Sequence, residues 1–366
     1  MATDPDLLLT ADAKKPLFGP TGGGVPVAAS SAHSDATKQR IDAGLRALAA
    51  APADARTEAA TAVFAPDCRF HIAHPFNDLD GLAAGLDGFF TPLLDSLHHA
   101  SRTHAIVATD EFEGAQMIAV MGHWHGTFTS DLVGIPASNK PAWVRFGEIH
   151  RIDADGCIAE SWMLPDILDL IRQAGLWPLA PSLGAEHQWP APGGNARALS
   201  ATDHAVGHAN LALVRGMHAA LGTFDGKSLD SMDLVPWWSP NFAWYGPAGI
   251  GTAFGLDGFR TVHQIPFLTA FPDRRGGQHI GRIGDGDFVV TGGWPSVTAT
   301  HTGNGFCGMP ATGRPVGMRV MDFYRCENGL IAENWVPLDI THLLLQMGYD
   351  ILGRIAHLRG HPRTSL

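Results

Sequence analysis

The sequence predicts an α+β protein made of two tandem domains of the same fold, each a curved mixed sheet wrapped by helices around a pocket. The chain has 366 residues, enough for two domains that each bury a core. It also contains a repeat in which a Trp precedes an Asp by four residues and an apolar run then ends in Gln-x-Gly. Pairs of equivalent residues lie 173 positions apart, namely Trp162 and Trp335, Asp166 and Asp339, Gln173 and Gln346, and Gly175 and Gly348. A repeat of this length indicates a duplicated domain.

The first copy is predicted to span residues 36–176, after an extended N-terminal arm at 1–35. Helical spacing of apolar residues predicts helices, and period-two alternation predicts strands. In chain order the predicted elements are helices over 36–50 and 55–64, a strand over 68–73, a glycine-bounded segment and helix over 81–97, strands near 103–110, 116–128, 142–152 and 157–164, and a helix over 166–173.

The second copy is predicted to span residues 204–353, between a Pro/Gly-rich linker at 177–203 and a C-terminal tail at 354–366. It repeats the order of the first copy, and Asn328-Gly329 is a strong signal for a two-residue hairpin turn. The predicted elements are a helix over 203–221, a strand over 241–245, a helix opening at 255, and strands near 279–283, 287–301, 316–325 and 330–338.

Composition excludes several classes of function. The formal charge of −11 and the pI of about 5.9 argue against a nucleic-acid partner, because phosphate binding needs clustered Lys and Arg. No apolar run is long enough to cross a bilayer, and the N-terminus lacks a secretion signal. Four scattered cysteines without metal-ligand spacing are typical of reduced residues. We therefore expect a cytoplasmic protein with no membrane partner.

The second copy contains a long ordered pattern, made of Thr300-His301-Thr302-Gly303, 306–314, 322–325, 328–335, Asp339 and Gln346-Met347-Gly348. This pattern resembles the SnoaL-like polyketide cyclases, a branch of the nuclear-transport-factor-2-like (NTF2-like) fold. The first copy is similar but looser, and it departs from the pattern at His123-Trp124-His125-Gly126. The resemblance implies an enzyme without metal or organic cofactor that closes a ring by intramolecular aldol addition.

The same resemblance implies an acid/base role for Asp339, and for Asp166 in the first copy. An Asp in an apolar pocket suits this role, because desolvation raises its pKa toward working pH. A structural alternative stays open for both residues. An Asp where a strand gives way to a helix is also a good N-cap.

Hairpin geometry gives a second set of candidates. With Asn328-Gly329 at the turn, Glu327 pairs with Leu330 and Asp322 is predicted to lie opposite Trp335. Alternation then predicts that Asp322 and Tyr324 share a face with Glu333, Trp335 and Asp339, either as a pocket floor or as a solvated face. The predicted equivalents of Asp322 and Tyr324 in the first copy are Glu148 and His150.

The remaining candidates are His301 as a proton donor, Arg319 as an oxyanion partner, and Trp162, Trp335, Tyr324, His125 and His150 as substrate-binding residues. His123 and His125 with His150 and Glu148 have the residue types of a metal site, but each is explicable separately, so no metal is predicted. We expect a small carbonyl substrate and an intramolecular pseudo-dimer, with further homo-oligomerisation open. A hydrolase, dehydratase or isomerase, or a non-catalytic carrier of an apolar ligand, are the alternatives.

Overall fold

A computed structural model describes residues 31–194, 196 and 198–360. The N-terminal domain contains five α-helices and a six-stranded sheet within these residues. Its elements are α1 (Ser31–Ala50), α2 (Arg56–Thr61), β1 (Phe64–Ile72), β2 (Asn77–Asp80), α3 (Leu82–Gly85), α4 (Thr91–Ser96), β3 (Leu97–Phe112), β4 (Ala115–Phe128), β5 (Pro141–Ile152), β6 (Ile158–Pro165) and α5 (Ile167–Gln173).

The C-terminal domain repeats this order. Its elements are α6 (His204–Leu221), β7 (Trp238–Tyr245), β8 (Thr252–Phe254), α7 (Gly255–Phe259), α8 (Ile265–Ala270), β9 (Arg275–Gly276), β10 (His279–Asp285), β11 (Phe288–Thr300), β12 (Pro315–Glu327), β13 (Leu330–Trp335), α9 (Ile340–Gln346) and α10 (Ile351–Leu358).

The two sheets have the same topology. The first has the strand order β2-β1-β6-β5-β4-β3, and the second has β8-β7-β13-β12-β11-β10 with β9 paired to β11. Only β1 with β6 and β7 with β13 are parallel among the described pairs. Both domains are therefore α+β with a mixed sheet, as the sequence predicts.

One face of each sheet packs against its own helices, and the opposite faces pack against each other. Ile149 and Leu164 from the first sheet share a buried apolar cluster with Met321, Phe323 and Trp335 from the second. Residues on alternate positions of the same strands, such as Phe146 and Tyr324, belong to the helix-covered core. Strand alternation thus assigns each side chain to the interdomain interface or to the interior of its own domain.

The hairpin between β12 and β13 forms at the predicted turn, where Asn328 and Gly329 have φ of 53° and 74°. The predicted register is wrong beyond the first two pairs. A bulge leaves Ala332 unpaired, so Arg325 lies opposite Glu333 and Phe323 lies opposite Trp335. Glu333 and Trp335 therefore point to the interdomain side, away from Asp322 and Tyr324.

The ends of the predicted domains can be followed only in part. Helix α1 begins at Ser31, inside the predicted arm, and residues 1–30 lie outside the described residues. Helix α10 extends to Leu358, inside the predicted tail, of which 361–366 are not described. Where it is described, the segment 177–203 contains neither helix nor strand but makes a bridge from Ala185 to Thr252.

Candidate functional site

The C-terminal domain encloses a cavity of about 180 Å³ between its helices and the helix-facing side of its sheet. Most of the lining is apolar. Helix α6 contributes Met217 and Leu221, the segment 256–268 contributes Phe259 and Phe267, and the sheet contributes further apolar and a few polar residues. The polar or charged residues of the lining are His218, His263, Gln264, Arg274, His279, Thr291, Ser296, Asp322, Tyr324 and Asn334.

Asp322 is the carboxylate of this cavity. It lies on β12, and the Asn334 amide on the neighbouring strand donates to its Oδ1 at 3.4 Å. Burial raises the pKa of Asp322 to about 6, although hydrogen bonds from Asn334 and Tyr324 act in the opposite direction. A carboxylate with this pKa exchanges a proton near neutral pH.

A hydrogen-bonded chain supports Asp322. The Tyr324 hydroxyl bonds to Asp322 and lies 2.9 Å from His218 Nε2 on α6. Burial and the adjacent carboxylate raise the pKa of Tyr324 well above its usual value. Burial, with the charges of Arg282 and His279 nearby, lowers the pKa of His218 to about 3. Tyr324 and His218 are therefore both neutral at pH 7, so Tyr324 bonds to Asp322, and His218 to Tyr324, without adding charge.

Arg274 gives the cavity a cation. Its guanidinium lies 5.4 Å and 6.0 Å from the ring centroids of Phe224 and Phe267. Burial lowers its pKa. Its Nη1 donates to Phe271 O at 3.4 Å, and no ion pair with a carboxylate is found for it among the residues that the structure describes. Such a cation is available to an oxygen atom of a ligand.

In the N-terminal domain, charged side chains occupy the equivalent position. Glu148 on β5 corresponds to Asp322, and it makes a two-pronged ion pair with Arg102 on β3, with one bond at 3.2 Å. The side chains of Arg102 and Glu148 are 1% and 0% exposed. The guanidinium also lies 4.9 Å and 4.2 Å from the rings of Trp124 and Phe146. Arg102 therefore fills the space in front of the carboxylate.

Further hydrogen bonds complete this buried network. His150, the counterpart of Tyr324, bonds to Glu148 at 3.1 Å and to Ser161 at 2.9 Å. Arg102 donates to His104 Nε2 at 2.6 Å, so His104 Nδ1 carries the proton shared with Asp42. Burial alone would raise the pKa of Glu148, but the Arg102 charge and the hydrogen bonds from His150 and Arg102 outweigh it and lower the pKa. Glu148 is therefore a paired anion.

Asp339 and Asp166 have equivalent structural contacts. Asp339 caps α9 by accepting from His342 N at 3.0 Å, and its other oxygen accepts from Arg319 at 3.2 Å and from His74 N at 2.9 Å. These are the contacts of the N-cap alternative, extended by a bond to the other domain. Asp339 is 3% exposed and does not line the cavity.

Asp166 repeats the arrangement across the interface. It caps α5 through Asp169 N at 3.0 Å, pairs with Arg145 at 2.9 Å, and accepts from Ala248 N of the C-terminal domain at 3.0 Å. The two carboxylates of the repeat therefore each join a helix, a strand and the opposite domain.

The other predicted site residues lie outside the cavity lining. His301 is buried at the end of β11, where it bonds to Thr312 at 3.1 Å and packs on Phe271. Burial lowers the pKa of His301. Trp335 donates to Pro190 O at 3.2 Å and stacks on Tyr245 in the interface.

Three further predicted residues, Arg319, Trp162 and His125, lie on strands of the two sheets and outside the cavity lining. Arg319 covers the Trp294 ring at 4.7 Å. Trp162 stacks on His71 with ring centroids 5.5 Å apart, and His125 lies on β4 opposite Trp143. Among the predicted residues, only Asp322 and Tyr324 therefore line the cavity.

The sequence gives little signal for the residues that complete the two interiors. His218, Arg274 and Arg102 lie on elements distant in sequence from the strands they contact. A helix position such as His218, four residues after Val214 on the predicted apolar face, is the one partial signal, because it places an imidazole at a core-facing position.

Comparison with known proteins agrees with this architecture. The family model described as SnoaL-like polyketide cyclase matches residues 44–174 and 221–347, one match per domain and more than half of the chain together. The chain belongs to this family. The SnoaL-like region is thus present twice, with the NTF2-like fold in each copy. No curated protein matches the chain.

Several solved structures align with about two fifths of the chain. IdmH from Streptomyces antibioticus is 19% identical, with 38% of this chain and 99% of that chain covered and a TM-score of 0.31. TsrD from Streptomyces laurentii is 21% identical, with 38% and 96% covered and a TM-score of 0.32. An NTF2-like protein from Burkholderia xenovorans LB400 is 16% identical, with 38% and 96% covered and a TM-score of 0.28.

One finding bears on the membrane prediction. Among the described residues, no helix is both long and apolar enough to span a bilayer.

Proposed function

We propose that the C-terminal domain binds a small, largely apolar carbonyl compound and that Asp322 transfers a proton at the carbon next to its carbonyl group. The observation that carries this proposal is a carboxylate with a pKa of about 6 in a mostly apolar cavity. At pH 7 most of Asp322 is ionised and can accept a proton, and the acid it forms can return that proton. Asp322, and not Asp339, is the acid/base residue of this proposal because it faces the cavity.

Removal of a proton next to a carbonyl leaves negative charge on the carbonyl oxygen. Arg274 lines the cavity and has no ion pair with a carboxylate among the described residues, and it would stabilise this oxygen. In an aldol addition the enolate carbon then forms a bond to a second carbonyl carbon of the same molecule, and the new alkoxide takes the proton from Asp322. Every proton is conserved, and no oxidant or reductant is consumed.

The size of the cavity restricts the ligand. An apolar cavity of about 150 Å³ holds a benzene-sized molecule, so about 180 Å³ suits a ligand of one or two rings. The aromatic residues Trp238, Trp244 and Phe259 provide faces on which such rings can stack. We therefore propose a one- or two-ring aromatic ketone or diketone as the substrate class.

Hydrogen–deuterium exchange tests proton transfer without knowledge of the natural product. One- and two-ring aryl ketones and β-diketones are incubated with the protein in D₂O, and deuterium at the carbon next to the carbonyl is measured by mass spectrometry. We expect exchange at least tenfold above buffer for the wild-type protein, and exchange at the buffer rate for Asp322→Asn.

Two variants complete the experiment. Asp339→Asn, which is checked for folding by circular dichroism, should keep the exchange activity. Val320→Trp places an indole in the cavity and should abolish ligand binding, measured by fluorescence titration. Exchange that persists in Asp322→Asn, or disappears in folded Asp339→Asn, would contradict the assignment. Ligand binding without exchange above buffer would instead identify a non-catalytic binding protein.

A further inference from the structure

We propose that Asp110, His204 and His208 form a binding site for a divalent cation of the zinc type, and that the bound cation joins the two domains. Asp110 lies on β3 of the N-terminal domain, and both histidines lie on α6 of the C-terminal domain. The site is outside the cavity and does not depend on the proposed acid/base chemistry.

The geometry suits a metal with nitrogen and oxygen ligands. The ligand atoms of the three side chains all lie within 4.8 Å of one another. Asp110 Oδ1 is 3.1 Å from His208 Nε2 and 3.7 Å from His204 Nδ1. Ligand atoms around tetrahedral zinc are about 3.3 Å apart, given bonds of about 2.0–2.1 Å. The two histidines are four residues apart and so project from the same side of α6.

One imidazole nitrogen of the site has no hydrogen-bond partner. His204 Nδ1 is buried and unpartnered among the described residues, and Asp110 Oδ1 lies 3.7 Å from it. The other nitrogen of this ring, Nε2, is 3.4 Å from Ser34 Oγ on α1. In the tautomer in which Nε2 carries the proton and Ser34 Oγ accepts it, the Nδ1 lone pair faces a carboxylate oxygen. A metal ion between these two atoms would bind both and remove their repulsion.

Asp285 of the C-terminal domain is the pseudo-symmetric equivalent of Asp110, and it has a positively charged partner. Asp110 accepts from Gly284 N at 2.9 Å, and Asp285 accepts from Thr109 N at 3.0 Å, so the two aspartates are equivalents on opposite domains. Asp285 is neutralised by a buried lysine, Lys38 on α1, whose Nζ lies 2.7 Å from it. Asp110 has no Lys or Arg among its described ion-pair partners and has two imidazoles instead.

The helix positions correspond as well. Lys38 and His208 occupy equivalent positions on α1 and α6, and so do Ser34 and His204, because each pair is 170 residues apart. The positive charge that Lys38 supplies covalently at one site would be supplied by a bound cation at the other. Two imidazoles and a carboxylate are ligands that zinc accepts. The His208 side chain is 46% exposed, so the fourth position faces solvent.

The test is a titration of metal-stripped, full-length protein with ZnCl₂, and with CoCl₂ as a spectroscopic substitute. We expect one tight equivalent by calorimetry, visible absorption bands of four-coordinate Co²⁺, and a Tm that rises by about 3 °C when free Zn²⁺ is about one hundred times the Kd. His208→Lys should weaken the binding by about a hundredfold or more, because it removes a ligand and places a lysine against Asp110 as at Asp285.

Two variants distinguish this site from non-specific binding of Zn²⁺ by other histidines of the chain. His208→Lys should retain the metal-free Tm of the wild-type protein, since the new ammonium repeats the Lys38–Asp285 pair. His98→Ala, at an exposed histidine next to His99 on β3, should leave the tight equivalent unchanged. The proposal is overturned if wild type and His208→Lys bind Zn²⁺ equally, or if His98→Ala removes the tight equivalent.

Discussion

The two domains place a carboxylate at the same point of the same strand and surround it in opposite ways. In the N-terminal domain Glu148 is paired with Arg102 and His150. In the C-terminal domain the hydrogen-bond partners of Asp322 among the described residues, Asn334 and Tyr324, are neutral, and its carboxylate lines the cavity. The pKa of Glu148 is lowered and that of Asp322 is raised. One fold can therefore hold a buried ion pair or a carboxyl group with a raised pKa at one position.

The difference depends on the side chain that faces the carboxylate. Arg102 lies on β3 opposite Trp124 of β4. In the second sheet the equivalent position is Gly276 on the short strand β9, which lies opposite Val297 of β11. An arginine at this position reaches Glu148, whereas a glycine has no side chain to place in front of Asp322.

The largest effect is expected for Glu148→Gln. This change leaves the fully buried Arg102 without its anion and should lower the free energy of unfolding by roughly 3–5 kcal/mol. Urea denaturation at pH 7 measures it. The double variant Arg102→Met, Glu148→Leu removes both charges and should recover most of the loss. A loss below about 1 kcal/mol for Glu148→Gln would show that the ion pair does not hold the N-terminal domain together.

The second prediction compares the interdomain aspartates. Asp166→Asn leaves Arg145, with a side chain 2% exposed, unpaired except for Asp169 at 4.0 Å, and should cost about 3 kcal/mol. Asp339→Asn affects the more exposed Arg319, at 14%, and should cost only about 1 kcal/mol. The asparagine keeps a cap oxygen in both variants. The free energies of unfolding of the two variants are measured side by side by chemical denaturation. Equal losses would contradict this ranking.

Much of the fold follows from local sequence. The constant offset of the repeat predicts two domains, and Asn328-Gly329 predicts the turn that the structure contains, because both residues must adopt positive φ. The bulge at Ala332 could not be predicted, since an ordinary alanine carries no bulge signal. That single residue moves Glu333 and Trp335 to the opposite face from the one predicted.

The candidate site is predictable only where one strand determines it. Alternation along β12 places Asp322 and Tyr324 together, and both line the cavity. Arg274, His218 and Arg102 reach the two interiors from distant elements, so their contacts depend on tertiary packing. The sequence around Asp339 is compatible with a cap or an acid/base group, and it contains no signal for the bonds to Arg319 and His74 that join Asp339 to the interface.

The third prediction is that Asp322→Asn stabilises the protein at high pH, opposite in sign to Glu148→Gln. A pKa raised from 3.8 to about 6 corresponds to a loss of about 3 kcal/mol in the free energy of unfolding when the carboxylate is ionised. Contact with solvent in the cavity reduces this loss to about 2 kcal/mol. Because the folded pKa is raised, the ionised carboxylate costs stability fully above pH 6, and the cost falls as the pH drops toward 3.8 and vanishes once both states are protonated, at about pH 3. Thermal unfolding at pH 8 and at about pH 3 should show a higher Tm for the variant only at pH 8. A gain that is equal at both pH values would contradict the raised pKa.

The smallest expected effect is the pH dependence of deuterium exchange, which separates the two carboxylates without mutation. A base must be ionised to accept a proton, so the exchange rate should rise about tenfold between pH 5 and pH 7 and then level off, with an apparent pKa near 6. Glu148 is ionised throughout this range because its pKa is lowered, and it would give a flat profile. The profile is measured with a ketone whose uncatalysed exchange is subtracted at each pH.

Tyr324→Phe removes a hydrogen bond that favours the ionised carboxylate, so it should move the midpoint to higher pH. A flat profile, or a midpoint that Tyr324→Phe leaves in place, would assign the proton transfer to a group other than Asp322.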